Sequence, residues 1–308
     1  MGTEQGLLRV SIAATLGVAV LGIVFGLLSG SYSITFDGVY ALADASMSGL
    51  ALIVARLIAS HAAAAPGSER LRARFTMGVW HLEPIVLALN GTLLMGVSIY
   101  SLLNAIGSLL SGGRPLEFGW AIAYAVGVLA VCVVMAALEA RANRRIRSAL
   151  VELDVRAWMM SGGITAALLV AFSVGFAVEG TQLAWIAPYI DPASLALVCL
   201  AIIPMPAAIV RGALADVLLV TPPALMREIE EVAEEIVARH GLAGHRAYAA
   251  RVGRARQIEL YFIVPAEAPP RPIAYWDAIR DEIGEMIGGD EAERWLTIVF
   301  TGDREWAE

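Results

Sequence analysis

The sequence contains no lysine, only two cysteines and four histidines, and charged side chains make up just 17% of its 308 residues. Without lysine there is no GxxxxGK[ST] phosphate loop, which argues against a nucleotide-driven motor, and every fixed positive charge is an arginine. Cys132 and Cys199 lie far apart in apolar stretches. That excludes a disulfide framework and a thiolate metal site and leaves both as packing residues. No nucleophile is paired with a base, so an enzyme is not expected. The amino terminus lacks the short apolar core and small-residue cleavage site of a signal peptide, and its apolar run is long enough to be a first spanning helix.

What the chain has in abundance is apolar surface. Hydrophobic residues make up 58% of it, with a mean hydropathy of +0.69, far above an ordinary water-soluble domain. The net charge of −7 is unevenly spread: residues 213–308 carry 18 acidic and 10 arginine side chains, residues 1–212 carry 11 and 12. Apolar segments of spanning length, about 20 residues each, occur near 7–30, 33–60, 78–104, 119–140, 155–178 and 185–211. An even number of spans puts both termini on one side. Arg9, Arg56, the Arg70/Arg72/Arg74 group, the Arg141/Arg144/Arg145/Arg147 group, Arg156 and Arg211 collect on that side, and Arg114 alone lies opposite. By the positive-inside rule the termini are expected in the cytosol of a cell whose inner membrane holds the chain, with the turns at Gly30, Gly113 and Pro188 outside. The basic connector over 60–75, with His61 and Glu69, is expected to meet anionic lipid.

The division expected is a six-helix membrane domain, 1–212, and a cytosolic domain, 213–308. After Thr221-Pro222-Pro223 the pattern becomes that of a water-soluble fold. Met226, Ile229, Val232, Ile236 and Val237 mark one apolar helix face. Strand-like runs at 245–252 and 256–264 flank Gly253, with Ile258, Leu260, Phe262 and Val264 alternating inward. A second helix carries Ile273, Trp276, Ile279, Ile283 and Met286, and 296–300 forms a third strand. The order αββαβ predicts a small α+β, ferredoxin-like layer that is thin-cored and helped by association.

Carboxylates inside a bilayer are costly unless they face a polar interior, so they are functional candidates. Asp44 lies about eleven residues into the second span. Asp37, two turns earlier, and Ser48, one turn later, share its face. On the fifth span Asp154 precedes Trp158 by one turn, at a similar depth. Each has a plainer reading: Asp44 as a polar contact to Asn90 or a serine on a neighbouring helix, Asp37 as a solvated carboxylate near the outer surface, and Asp154 as the partner of a loop arginine. Trp158 reads as packing or an interfacial anchor, since indole offers a hard cation no lone pair, and His81 as an interfacial residue.

The stretches 37–56 (DGVYALADASMSGLALIVAR), Phe75-Thr76-Met77-Gly78 through Glu83-Pro84, 154–162 and Asp191-Pro192, together with the tail, resemble the cation diffusion facilitator family across nearly the whole chain. The resemblance implies six membrane helices, a cytosolic αββαβ domain, a homodimer, and a metal site between the second and fifth helices. The family's site pairs Asp or His with Asp four apart on the second helix and His or Asp with Asp four apart on the fifth. Here those positions read Asp44, Ser48, Asp154 and Trp158, so two ligands of four are replaced and no histidine remains. An oxygen-only set, open to Asp37, Asn90 or backbone carbonyls, suits magnesium, manganese or a monovalent cation better than zinc. In the tail, where the family binds regulatory metal, His245 and Asp303 stand at matching positions while Tyr261 and Thr301 replace histidines.

Two functions follow as expectations. One is a secondary transporter exporting a divalent cation from the cytosol against protons, since cation and proton compete for the same buried carboxylates. The metal is then cargo rather than a resident cofactor, and no nucleic acid partner is expected. The other is a non-transporting dimeric membrane scaffold or sensor derived from the same family, which would explain the lost ligands.

Overall fold

The computed structural model describes residues 4–62, 73–76, 78–146, 149–289 and 293–307. The basic connector expected over 60–75, including Glu69, Arg70 and Arg72, lies almost wholly outside the described residues, as do Met77, Arg147 and the side chain of His61. The chain forms two compact units, residues 1–50 with 89–208 and residues 51–88 with 209–308.

Among the described residues six segments are long and apolar enough to cross a bilayer. They are built from α1 (Glu4–Ser29), α2 (Tyr32–Ala62), α3 (Leu82–Leu110), α4 (Phe118–Ile146), α5 (Ala149–Val178), and a sixth span in two pieces, α6 (Ala187–Ile202) and α7 (Pro204–Val217). Two boundaries differ from the sequence reading. The third helix begins at Leu82 rather than near 78, because Gly78 takes a φ of +88° in a turn where its N–H donates to Phe75 O at 3.0 Å. Pro84 then falls in the first helical turn, where a missing N–H leaves no helical bond unmade. The sixth span is interrupted at Ile203 because Pro204 and Pro206 offer no N–H to the carbonyls of Leu200 and Ile202. The helices leave large apolar side chains on their outer faces, among them Leu27 at 73% and Leu110 at 84% exposure. Such a surface matches lipid rather than water.

In the first unit α4 is the central helix. Ala121, Tyr124, Ala125, Val128, Cys132 and Met135 recur on one face of it and are buried against α1 and α5. Cys132 and Cys199 are both free and buried, the packing role expected of them. Between α1 and α2 the contact is made by glycine: a Cβ on Gly38 would lie 2.6 Å from Ile23 N and 2.7 Å from Ala19 O. With no hydrophobic effect between helices in lipid, such small residues let backbones approach and gain dispersion contacts. The amino end of α2 is capped from α6. Asp191, only 2% exposed, accepts from Ser31 Oγ at 2.6 Å, Tyr32 N at 2.8 Å and Ser33 N at 3.3 Å, satisfying N–H groups that a helix start leaves open.

In the second unit the tail follows the expected order: α8 (Pro223–His240), β1 (Gly244–Val252), β2 (Ala255–Ile263), α9 (Ile273–Ile287) and β3 (Arg294–Thr301). The sheet order is β1-β2-β3, with β1 antiparallel and β3 parallel to β2. Its core joins Ile229, Ala233 and Ile236 of α8, Ile258, Leu260 and Phe262 of β2, and Ile279 and Ile283 of α9. The apolar stripe of α8 is rotated from the expected one, since Leu225 and Ala233 are buried while Met226, Val232 and Val237 flank them. The helix stops at Gly241, whose φ of +62° lets Leu242 N–H donate to Val237 O at 3.1 Å. Beside the β1–β2 turn, Arg254 grips Glu83 through Nε at 2.8 Å and Nη2 at 3.2 Å.

Candidate cation site

The polar face of α2 is a ladder. Asp37 accepts the Tyr124 hydroxyl of α4 at 2.7 Å. It lines a cavity of about 30 Å³ with Ser33 and Tyr40 of α2, Ile164 and Leu168 of α5, and Leu195, Val198 and Ile202 of α6. Roughly 10–15 Å³ suffices for one water, so the cavity has room for a water molecule or a small cation beside the carboxylate. Tyr40 continues the face, and Asp44 follows it one turn further on. Asn90 of α3 stands within hydrogen-bonding reach of Asp44, while the buried Oδ1 of Asn90 has no hydrogen-bond partner among the described residues. At about 1.5 Å of rise per residue, Asp37 and Asp44 are roughly 10 Å apart along the axis. The side chain of Ser48 lies outside the described residues. Asp44 is itself exposed, where the sequence reading placed a covered carboxylate, and the unpartnered carbonyl oxygen of Asn90 lies near it.

A second group lies between α1, α4 and α5. Trp158 Nε1 donates to Ser11 Oγ at 2.9 Å, and both side chains are buried. Asp154, one turn before Trp158, is half-buried. It faces Glu139 of α4, whose carboxylate also has Ser11 and Trp158 close by. Glu139 is 0% exposed, and neither of its oxygens receives a hydrogen bond of acceptable geometry from the described residues. Arg156, next in sequence but one, turns outward to Glu152 at 2.6 Å.

The candidate residues thus form two sets, Asp37, Asp44 and Asn90 on one side and Asp154 with Glu139 on the other. Among the described residues no three of His, Cys, Asp and Glu gather as a metal-holding group. Glu139, Tyr40 and Tyr124 were not anticipated. Glu139 had a signal: it continues the helical spacing of the buried face through Val128, Cys132 and Met135.

The tail candidates are engaged locally. His245 Nε2 meets Glu230 Oε2 at 2.7 Å. Asp303 accepts Glu305 N–H at 3.0 Å and, on its main-chain oxygen, the Thr301 hydroxyl at 3.0 Å. Tyr261 donates to Glu259 at 3.2 Å. Glu282 receives His240 at 2.9 Å and pairs with Arg239, and these hydrogen bonds hold its carboxyl below the ordinary value.

Six spans, followed by a small mixed-sheet tail, define a multi-pass membrane protein. The profile of the cation efflux transmembrane domain matches residues 8–218, most of the chain. The protein belongs to the cation efflux family, a family of membrane transporters. No protein with a curated description matches its sequence.

Proposed function

We propose that the protein is a secondary transporter that exports a divalent metal cation from the cytosol in exchange for protons, with Asp44 of α2 and Asp154 of α5 as its principal ligands. The observation that carries this reading is the buried carbonyl oxygen of Asn90, which lies near Asp44 and has no hydrogen-bond partner among the described residues. Buried polar atoms are normally satisfied, so an unpaired acceptor beside a carboxylate is the arrangement a cation completes. Asp37 and its cavity provide a second station on the same helix face. These donors are oxygens, which favours magnesium or manganese over zinc. Protons compete for the same carboxylates, and that competition couples the two fluxes. In this account Ser48 is an auxiliary donor, both termini face the cytosol, the inner membrane holds the chain, and the ferredoxin-like tail pairs two copies into a homodimer. His245 and Asp303 add at most a weak metal contact there, since each already has a local partner.

A second reading, a dimeric scaffold or sensor without transport, is favoured by one observation: a family ligand position holds Trp158, its N–H committed to Ser11. Proteoliposomes separate the two. Proton flux driven by an added cation supports transport, and its loss in Asp44→Ala and Asp154→Ala supports the site. Flux unchanged in both variants sinks the site, and no flux with any cation leaves the scaffold reading.

A further inference from the structure

We infer that Glu139 is a cation ligand in this chain, supplying beside Asp154 the second carboxylate that the position of Trp158 lacks. The inference rests on the transport reading above and names a donor from a different helix, α4.

Glu139 lies on the buried face of α4. Its side chain is fully covered, at 0% exposure, and both oxygens lack a hydrogen-bond partner among the described residues. A carboxylate removed from water with no cation beside it is costly to bury, and a bound cation relieves that cost directly. The neighbours do not provide the relief. Asp154 is itself an acid and brings no positive charge, and the Trp158 N–H donates to Ser11 Oγ. Around Glu139 the chain has gathered a second carboxylate and a hydroxyl oxygen, three hard donors contributed by α4, α5 and α1. The arrangement also explains the tryptophan. Its indole holds the Ser11 hydroxyl, and its ring belongs to the buried cluster that includes Met135 and Cys132. The lost family ligand is thereby replaced from the adjacent helix rather than abandoned.

The test uses the full chain in lipid nanodiscs. Wild-type protein is titrated calorimetrically with Mn²⁺, Mg²⁺ and Zn²⁺, and the tightest-binding of these is used for Glu139→Gln, Asp154→Asn and Asp44→Asn. Glu139→Gln and Asp154→Asn are each expected to weaken binding by about tenfold or more, as removal of a ligand does. In cation-free buffer Glu139→Gln is also expected to melt above wild type, because an unrelieved buried charge is gone, and to lose the rise in melting temperature that the cation gives wild type. Binding by Glu139→Gln weakened by less than about tenfold, with Asp154→Asn impaired, overturns the inference while leaving the transport reading standing. A cation-free melting temperature for Glu139→Gln below wild type assigns it a structural role and likewise overturns it. Wild-type protein that binds none of the three ions defeats the transport reading itself and the inference with it.

Discussion

Trp158 of α5 hydrogen-bonds Ser11 of α1 through its indole N–H at 2.9 Å, with both side chains buried in the bundle. This hydrogen bond joins the first and fifth spans at the position to which the family resemblance assigns a metal-binding carboxylate. Replacing the indole therefore tests packing and polarity separately. Trp158→Phe keeps most of the ring volume and leaves Ser11 without its donor, for an expected loss of about 1 kcal/mol. Trp158→Ala removes the packing as well and should cost about 3–5 kcal/mol. Unfolding in mild detergent, followed by circular dichroism, measures both. Equal losses in the two variants would mean the packing is idle.

Asp191 ties the carboxylate-bearing helix α2 to α6. Three donors converge on its side chain from Ser31, Tyr32 and Ser33, and Asp191→Ala leaves them buried and unmet. We expect a loss of about 1–3 kcal/mol. Thermal melting of the purified protein checks it, and a shift within error of wild type would show that α2 does not depend on this cap.

Gly38 packs against the backbone of α1 with no room for a Cβ. Gly38→Val forces α1 and α2 apart and should destabilise the bundle by about 1–3 kcal/mol. Gly49 has open space around its would-be Cβ and serves as the control, where Gly49→Ala should be neutral or slightly stabilising, because alanine favours the helix. The same detergent melts compare the two.

The tail carries a pH-sensitive pair. The carboxyl of Glu282 is lowered from its ordinary value of 4.5 by the hydrogen bonds of His240 and Arg239. A depressed carboxylate stabilises the fold fully above the unfolded value and loses that contribution as pH falls through the folded one. Glu282→Gln should therefore melt below wild type at pH 7, with the gap closing as pH drops below 4.5. The side chain is half-buried at the surface of the tail, where screening by solvent keeps the effect small. A gap that persists at pH 3 would assign it to packing instead.

Much of this architecture was legible in the residues. The six spans stood out as runs of apolar residues, because a bilayer demands that length whatever the neighbours are. The order of strands and helices in the tail followed from alternation in β2 and a helical stripe in α9. The break at Pro204 was readable but absorbed into one long span, since hydropathy does not register a missing N–H. The start of α3 was misjudged because the positive φ of Gly78 is a backbone event with no hydrophobic signature.

The site was legible only in part. Asp37, Asp44 and Asp154 announced themselves as charges in apolar runs. Glu139 carried the spacing of the buried face, but it stands two residues before Arg141 and close to Arg144 and Arg145, where a carboxylate reads as a surface partner of the basic group. Only the packing of α4 against α1 and α5 buries it. Tyr124 was likewise hidden: nothing local in its sequence says that its hydroxyl meets Asp37 on another helix.

The central claim is that cation and proton exchange through carboxylates on α2 and α5. The most direct test is cation-driven proton flux in proteoliposomes carrying wild type, Asp44→Asn or Asp154→Asn, each checked for folding by its melting curve. The account predicts that Mn²⁺ or Mg²⁺ added outside enters as protons leave, alkalinising the lumen of wild-type vesicles, and that neither variant shows this change. Folded variants that sustain the wild-type flux would contradict it.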